Sequence, residues 1–144
     1  MELEQWTLAM VTRRCRRLLS PAMHAPLKSL VTQAADRSGI RIDRVVFEPD
    51  CIWVWLSCPR GAMRRFAELA RAECGHHILS TVPPDTARML QERVWDWPFI
   101  ARQDVADHRV RTELDLRRAS HRDARLGFLP APSSRAQSGP SPGP

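Results

Sequence analysis

Residues Arg41 to Cys58, RIDRVVFEPDCIWVWLSC, decide the fold: two apolar runs hinged at Glu48-Pro49-Asp50. The pattern predicts a β-hairpin, with Ile42, Val45, Val46 and Phe47 before the hinge and Ile52, Val54 and Leu56 after it. Strand side chains alternate between faces, so Cys51, Trp53 and Trp55 share one face and Ile52, Val54 and Leu56 the other. One face is an aliphatic core surface. The other carries whatever the strand displays.

Working outward, Trp6 to Thr12 (WTLAMVT) suits a first strand, and Arg13-Arg14-Cys15-Arg16-Arg17 follows at once as a compact cationic patch. Ser20-Pro21 reads as a capped helix start, and Leu27, Leu30, Val31 and Ala34 recur at helical spacing until Ser38-Gly39 closes the segment. Beyond the hairpin, residues 62 to 74 place Met63, Phe66, Leu69 and Ala70 on one stripe, a helix expected to stop near Gly75. Residues 80 to 92 form a connector with Pro83-Pro84 and room for a helical turn. Val94 to Ala101 is expected as a fourth strand, where Pro98 argues for an edge or a bulge. Asp104 or Asp107 then caps a last helix through about Arg118, with Val105, Val110 and Leu114 as contacts.

The order strand, helix, strand, strand, helix, strand, helix implies an α+β fold, an antiparallel sheet with helices packed on it, close to a ferredoxin-like plan. A domain is expected over residues 5–118, followed by a disordered tail over 119–144. The end, GFLPAPSSRAQSGPSPGP, holds five of the twelve prolines and too little apolar surface to form a core.

The 144 residues suffice for one domain, and no apolar run reaches the roughly 18 residues a membrane span needs. The start, MELEQWTLAM, is acidic and unlike a signal peptide, so a cytoplasmic chain is expected, with no membrane partner. Cys15, Cys51, Cys58 and Cys74 lack paired spacing and read as buried or half-buried thiols rather than disulfides or metal ligands. Cys74, His76 and His77 lie close together, but adjacent histidines without a spaced partner are a weak metal signal, and a helix end at the surface is the plainer reading. The net charge is +6, and of 22 basic residues only Lys28 is lysine. Arginine grips phosphate through two parallel hydrogen bonds, so nucleic acid is the leading partner. The competing explanation is a coding bias toward arginine on a solvated surface.

With these elements in order, three segments together resemble the small HUH single-tyrosine transposases of bacterial insertion sequences, the IS-two-hundred type, and their REP-associated relatives. The segments are WTLAMVTRRCRRLLS, LVTQAADRSGIRIDRVVFEPDCIWVWLSCP and RVWDWPFIARQDVADHRVRTELDLR, spanning about residues 6 to 118. The resemblance implies a ferredoxin-like transposase fold that cuts and rejoins single-stranded DNA beside hairpins, commonly as a dimer. It also implies a magnesium or manganese ion held by two histidines at i and i+2, and a nucleophilic tyrosine on the last helix.

The chain departs from that pattern at each catalytic position. Cys51 and Trp53 stand where the resemblance places the histidines, Glu113 where it places the tyrosine, and Arg117 where a further ligand belongs; the 144 residues contain no tyrosine and no His-x-His. An indole N–H only donates, and a thiolate is too soft for magnesium. No catalytic residue, resident metal or cofactor is therefore expected. The expectation is a catalytically inactive DNA-binding protein for hairpin or single-stranded DNA; the alternative is an active transposase or nuclease with an altered site built from Cys51, Glu113 or His76-His77. Candidate phosphate contacts are Arg13, Arg14, Arg16 and Arg17, then Arg64, Arg65 and Arg71, with Arg109, Arg111, Arg117 and Arg118 extending the field. Trp53 and Trp55 serve either as base-stacking platforms or as core beneath the last helix, and Trp95 and Trp97 favour core.

Overall fold

The structure, a computed structural model, describes residues 3–96 and 98–125, with side chains to residue 121. Among the described residues four strands and four α-helices follow one another: β1 Leu3–Val11, α1 Pro21–Ser38, β2 Arg41–Glu48, β3 Cys51–Pro59, α2 Ala62–Thr81, α3 Pro84–Leu90, β4 Ile100–Gln103 and α4 Asp107–Arg125, with a short 3-10 turn at Arg13–Cys15 after β1. The sheet order is β2-β3-β1-β4 and every neighbouring pair is antiparallel. This is the expected α+β, ferredoxin-like arrangement, with α3 inserted in the connector and α4 appended.

Both sheet faces are covered, and the hairpin parity explains how. Ile52, Val54 and Leu56 join Leu8 and Met10 beneath α1 and α2, where Leu27, Val31, Phe66, Ala70 and Ile78 complete the larger core. Cys51 and Trp53 point the other way, with Ala9, Val11 and Ile100, against Val110 and Leu114 of α4. β2 needs a correction of phase to serve both layers. Ile42 pairs with Leu56 but Arg44 pairs with Trp55, so Asp43 is an extra residue bulged out of the ladder. The bulge keeps Ile42, Val45 and Phe47 on the core side and turns Arg44, Val46 and Glu48 toward the α4 side.

Several boundaries differ from the sequence expectation for local physical reasons. Helix α1 begins at Ser20-Pro21 as expected, but Ser20 makes no side-chain cap; its other end closes on Gly39 at φ 70. Helix α2 does not stop at Gly75; it continues to Thr81 and ends where Val82 turns extended before Pro83-Pro84. Gly75 is there for space: a Cβ would lie 3.1 Å from Trp95 Nε1, and that indole donates to Arg71 O at 2.9 Å. The fourth strand is Ile100–Gln103, not Val94 to Ala101. Trp95 bridges only to Thr12, and five steps from Trp95 to Ile100 face three steps from Ala9 to Thr12. The surplus backbone bulges beside Pro98, which cannot donate to a ladder. Helix α4 runs through Arg125, so the domain boundary expected at Arg118 falls inside it. Residues 126–144, which hold most of the expected tail, and Trp97 lie outside the described residues.

Replacing Gly75 by valine pushes a branched side chain into the Trp95 indole. The expected outcome is a loss of about 1–3 kcal/mol in urea denaturation despite the better helix propensity of valine. Unchanged stability would mean that Trp95 is not held against α2.

Candidate nucleic-acid interface

Helix α4 offers the sheet only a narrow apolar stripe, Val110 and Leu114, flanked by arginines. Arg111 and Arg118 sit on one flank, two turns apart, above the hinge carboxylates. Arg111 Nη1 donates to both oxygens of Glu48 at 3.1 and 2.9 Å. Arg118 forks onto Asp50, Nε to Oδ2 at 2.8 Å and Nη2 to Oδ1 at 2.6 Å, and also reaches Glu48 Oε1 at 2.7 Å. Trp53 Nε1 donates to the same Glu48 oxygen at 2.9 Å, and the Arg111 guanidinium lies 4.5 Å from the Trp53 ring centre.

The charge states follow from these contacts. Burial pushes the Glu48 carboxyl up, but hydrogen bonds from Trp53, Arg118 and Arg111 outweigh it and hold the group below its ordinary value. Arg118 is driven further up from its already high value, chiefly by its hydrogen bonds to Asp50 and then against the opposing effect of burial. The network closes the end of the hairpin with each carboxylate paired to a guanidinium.

The residues singled out in the sequence do not gather in one cavity. Cys51 and Trp53 lie beneath α4 at 0 % and 2 % exposure, so Trp53 presents no open ring face to a base. Glu113 is two residues from Arg111, about 200° around the helix, and therefore on the opposite flank. There it pairs with Arg102 of β4, while Arg117 Nη1 donates to Pro98 O at 2.7 Å. His76 and His77 belong to α2, on the other side of the sheet from Cys51. Cys51, Glu113 and the histidine pair thus lie in three separate places. Trp55 is half-buried, stacked on Trp53 at 5.6 Å between ring centres, and its Nε1 donates to Asp107 at 2.8 Å; Arg44 covers its ring at 4.8 Å.

The four cysteines are free and buried. Burial pushes the Cys15 thiol up to about 11, with help from Asp50 and Asp96, and Cys74 to about 12. Cys51 is raised as well, by burial first and then by Asp50 and Glu48. Protonated thiols of this kind are poor nucleophiles.

The candidate arginines fall into two groups. Arg14 and Arg17 are exposed and Arg16 half-buried at the end of β1, and no ion pair engages these three among the described residues. Arg13 has a structural task instead, donating to Leu90 O at 2.8 Å. Arg71, with its guanidinium 5.6 Å from the Phe99 ring centre, lies toward this same end, since its carbonyl accepts from Trp95 beside Thr12. Arg64 and Arg65 open α2 where β3 finishes, at the far end of a nine-residue strand, roughly 30 Å away. Arg64 is paired there with Glu68 at 3.7 Å. Composition suggests one basic field; the antiparallel register separates it into two. Sequence reasoning also misses the roles of Glu48 and Asp50, although carboxylates at i and i+2 on the hinge and arginines at i and i+7 on an amphipathic helix are a legible signal.

A four-stranded antiparallel sheet with two helices on one face and a terminal helix on the other is an α+β architecture. The chain superposes on a "putative transposase" from Deinococcus radiodurans R1 with a TM-score of 0.69 and 15% sequence identity, covering 84% of this chain and 92% of that one. A REP-associated tyrosine transposase bound to a REP hairpin matches with a TM-score of 0.47 and 14% identity, over 90% of this chain and 72% of that one. No protein-family model and no curated protein matches the sequence.

Arg118→Met leaves Asp50, 6 % exposed, and Glu48 short of their main cation. Stability at neutral pH is expected to fall by about 2–3 kcal/mol, between the values for exposed and buried pairs. Because the Glu48 value is lowered in the fold, its contribution is present above the unfolded carboxylate value and is lost as pH falls through the folded one. The variant should therefore lose less stability on acidification than the wild type, measured by urea denaturation across the acid range. Equal acid slopes would count against the clamp.

Proposed function

We propose that this chain is a DNA-binding protein of tyrosine-transposase descent that holds hairpin or single-stranded DNA without cutting it. The observation that carries the reading is the fold shared with the Deinococcus protein over most of both chains, in a sequence that contains no tyrosine and no His-x-His. Descent accounts for the scaffold, and the missing side chains account for the absence of cleavage. Support for DNA as the partner comes from the net charge of +6 and from Arg14, Arg16 and Arg17, which stand clear of ion pairs at one end of the sheet. The buried Trp53 favours phosphate gripping over base stacking, and leaves Trp55 with its covering Arg44 as the aromatic nearer the surface. A homodimer belongs to the same reading: β2 is a full-length edge strand of the sheet, available to a second copy. No resident magnesium or manganese is part of it. Among the described residues no helix is long and apolar enough to cross a membrane.

A labelled hairpin oligonucleotide is expected to shift in a gel at low salt, with neither cleavage nor a covalent adduct when manganese is added. The triple variant Arg14→Ala, Arg16→Ala and Arg17→Ala should bind more weakly and with a shallower salt dependence, by about 0.7–0.9 in logarithmic slope for each phosphate that is no longer neutralised. Arg13 is left intact because it holds Leu90. No shift would sink DNA binding, and cleavage would sink the inactive reading. An unchanged salt slope would move the contact away from the end of β1.

A further inference from the structure

Three side chains with metal-ligand chemistry meet beside the end of β1, next in the chain to the proposed DNA contacts Arg14 and Arg16. Cys15 follows β1, Asp96 lies in the bulged segment before β4, and His121 comes from α4. Their ligand atoms all lie within 4.8 Å of one another. His121 Nε2 and Asp96 Oδ2 are 3.1 Å apart, and the second Asp96 oxygen accepts from the backbone N–H of Arg14 at 3.4 Å. Cys15 is 4 % exposed, and the side chains of Asp96 and His121 are 18 % and 27 % exposed, so the cluster is sheltered yet reachable from solvent.

The backbone goes out of its way to make this meeting. Arg14 and Cys15 are successive non-glycine residues in the left-handed region, at φ 56 and 53, a conformation that side chains disfavour and that persists where the surroundings impose it. Asp96 N donates to Val11 O at 2.8 Å and Arg13 N to Val94 O at 2.7 Å, which pins the bulge of β4 against the same turn. A sulfur, a nitrogen and an oxygen bound to one zinc ion at about 2.0–2.3 Å stand roughly 3–4 Å from each other in a tetrahedron. The His121–Asp96 separation of 3.1 Å is already in that range, and the upper bound of 4.8 Å for the set exceeds it by about 1 Å.

We propose that Cys15, Asp96 and His121 form a binding site for a zinc-class divalent cation, tying the end of β1 and the segment before β4 to α4. The donor set names the class: a thiolate and an imidazole suit zinc or cobalt and reject magnesium. Three protein ligands leave one tetrahedral position for water. Binding replaces the thiol proton of Cys15, which is released to solvent as the sulfur–metal bond forms. Arg118 and Arg117 both act electrostatically on this thiol, and both are engaged elsewhere, on Asp50 and on Pro98 O.

The test uses the full chain, stripped with a chelator and titrated with cobalt(II) and zinc(II). One equivalent of cobalt is expected to bind with a near-ultraviolet thiolate-to-metal charge-transfer band, and zinc to displace it. The band should vanish in Cys15→Ser, and affinity should drop roughly tenfold or more in Asp96→Asn and in His121→Gln. Zinc should raise the thermal midpoint of the wild type by clearly more than that of His121→Gln at the same concentration. His121→Gln keeps the test decisive should Cys15→Ser fail to fold, because the histidine lies on a half-exposed helix face. A wild type without the band, a band that survives Cys15→Ser, or cobalt affinity that follows His76 and His77 instead would each overturn the site.

Discussion

The fold closes on one electrostatic clamp, the pairing of Glu48 and Asp50 at the hairpin hinge with Arg111 and Arg118 of the last helix. Among its described side chains, helix α4 contributes only Val110 and Leu114 to the buried seam, a small apolar patch for a helix of nineteen residues. Its place over the sheet therefore depends on charge satisfied at close range. Bidentate geometry matters here, because Asp50 is nearly removed from water and a single misplaced guanidinium would leave it costly. The hinge backbone contributes as well: Asp50 O accepts from Thr12 N at 2.9 Å, and Pro49 O from Leu19 N at 2.9 Å, so the carboxylates are presented by a turn that is itself pinned.

The α4 side of the hairpin is occupied by an internal salt network and a buried indole, and its carboxylates already have cations. Arginines are numerous, yet they do not act alike. Arg111 and Arg118 serve the interior, Arg13, Arg102 and Arg117 brace loops and strands, and Arg14, Arg16 and Arg17 remain turned outward at one end of the sheet. A net charge alone cannot distinguish these tasks.

The hairpin itself was readable residue by residue. Alternation in β3 assigned Ile52, Val54 and Leu56 to one layer and Cys51 and Trp53 to the other, and both assignments hold. Ile42 and Val45 have opposite parity, and the structure brings both to the core side through a bulge at Asp43 that the sequence reading did not contain. The ends of α1 were legible because Pro21 and Gly39 act locally, although Ser20 makes no side-chain cap. Gly75 misled because its value lies in a contact with Trp95, far along the chain, and Val94 to Ala101 misled because its register is set by β1 and by the hydrogen-bonding gap at Pro98. Cys51 and Trp53 are separated from Glu113 and Arg117 by helical geometry: Glu113 and Arg117 occupy the flank turned toward β4, away from Trp53 and the hinge.

By itself, the sequence determined the element order, the two faces of the hairpin, the cationic balance and the lack of tyrosine, since each depends on local periodicity or on composition. Only the tertiary structure decided which arginines stand clear of ion pairs, that Trp53 is covered, and that Cys15, Asp96 and His121 stand together. Those outcomes depend on strand register and on how α4 docks. Register and docking are settled by contacts between residues far apart in the chain, which no local pattern encodes.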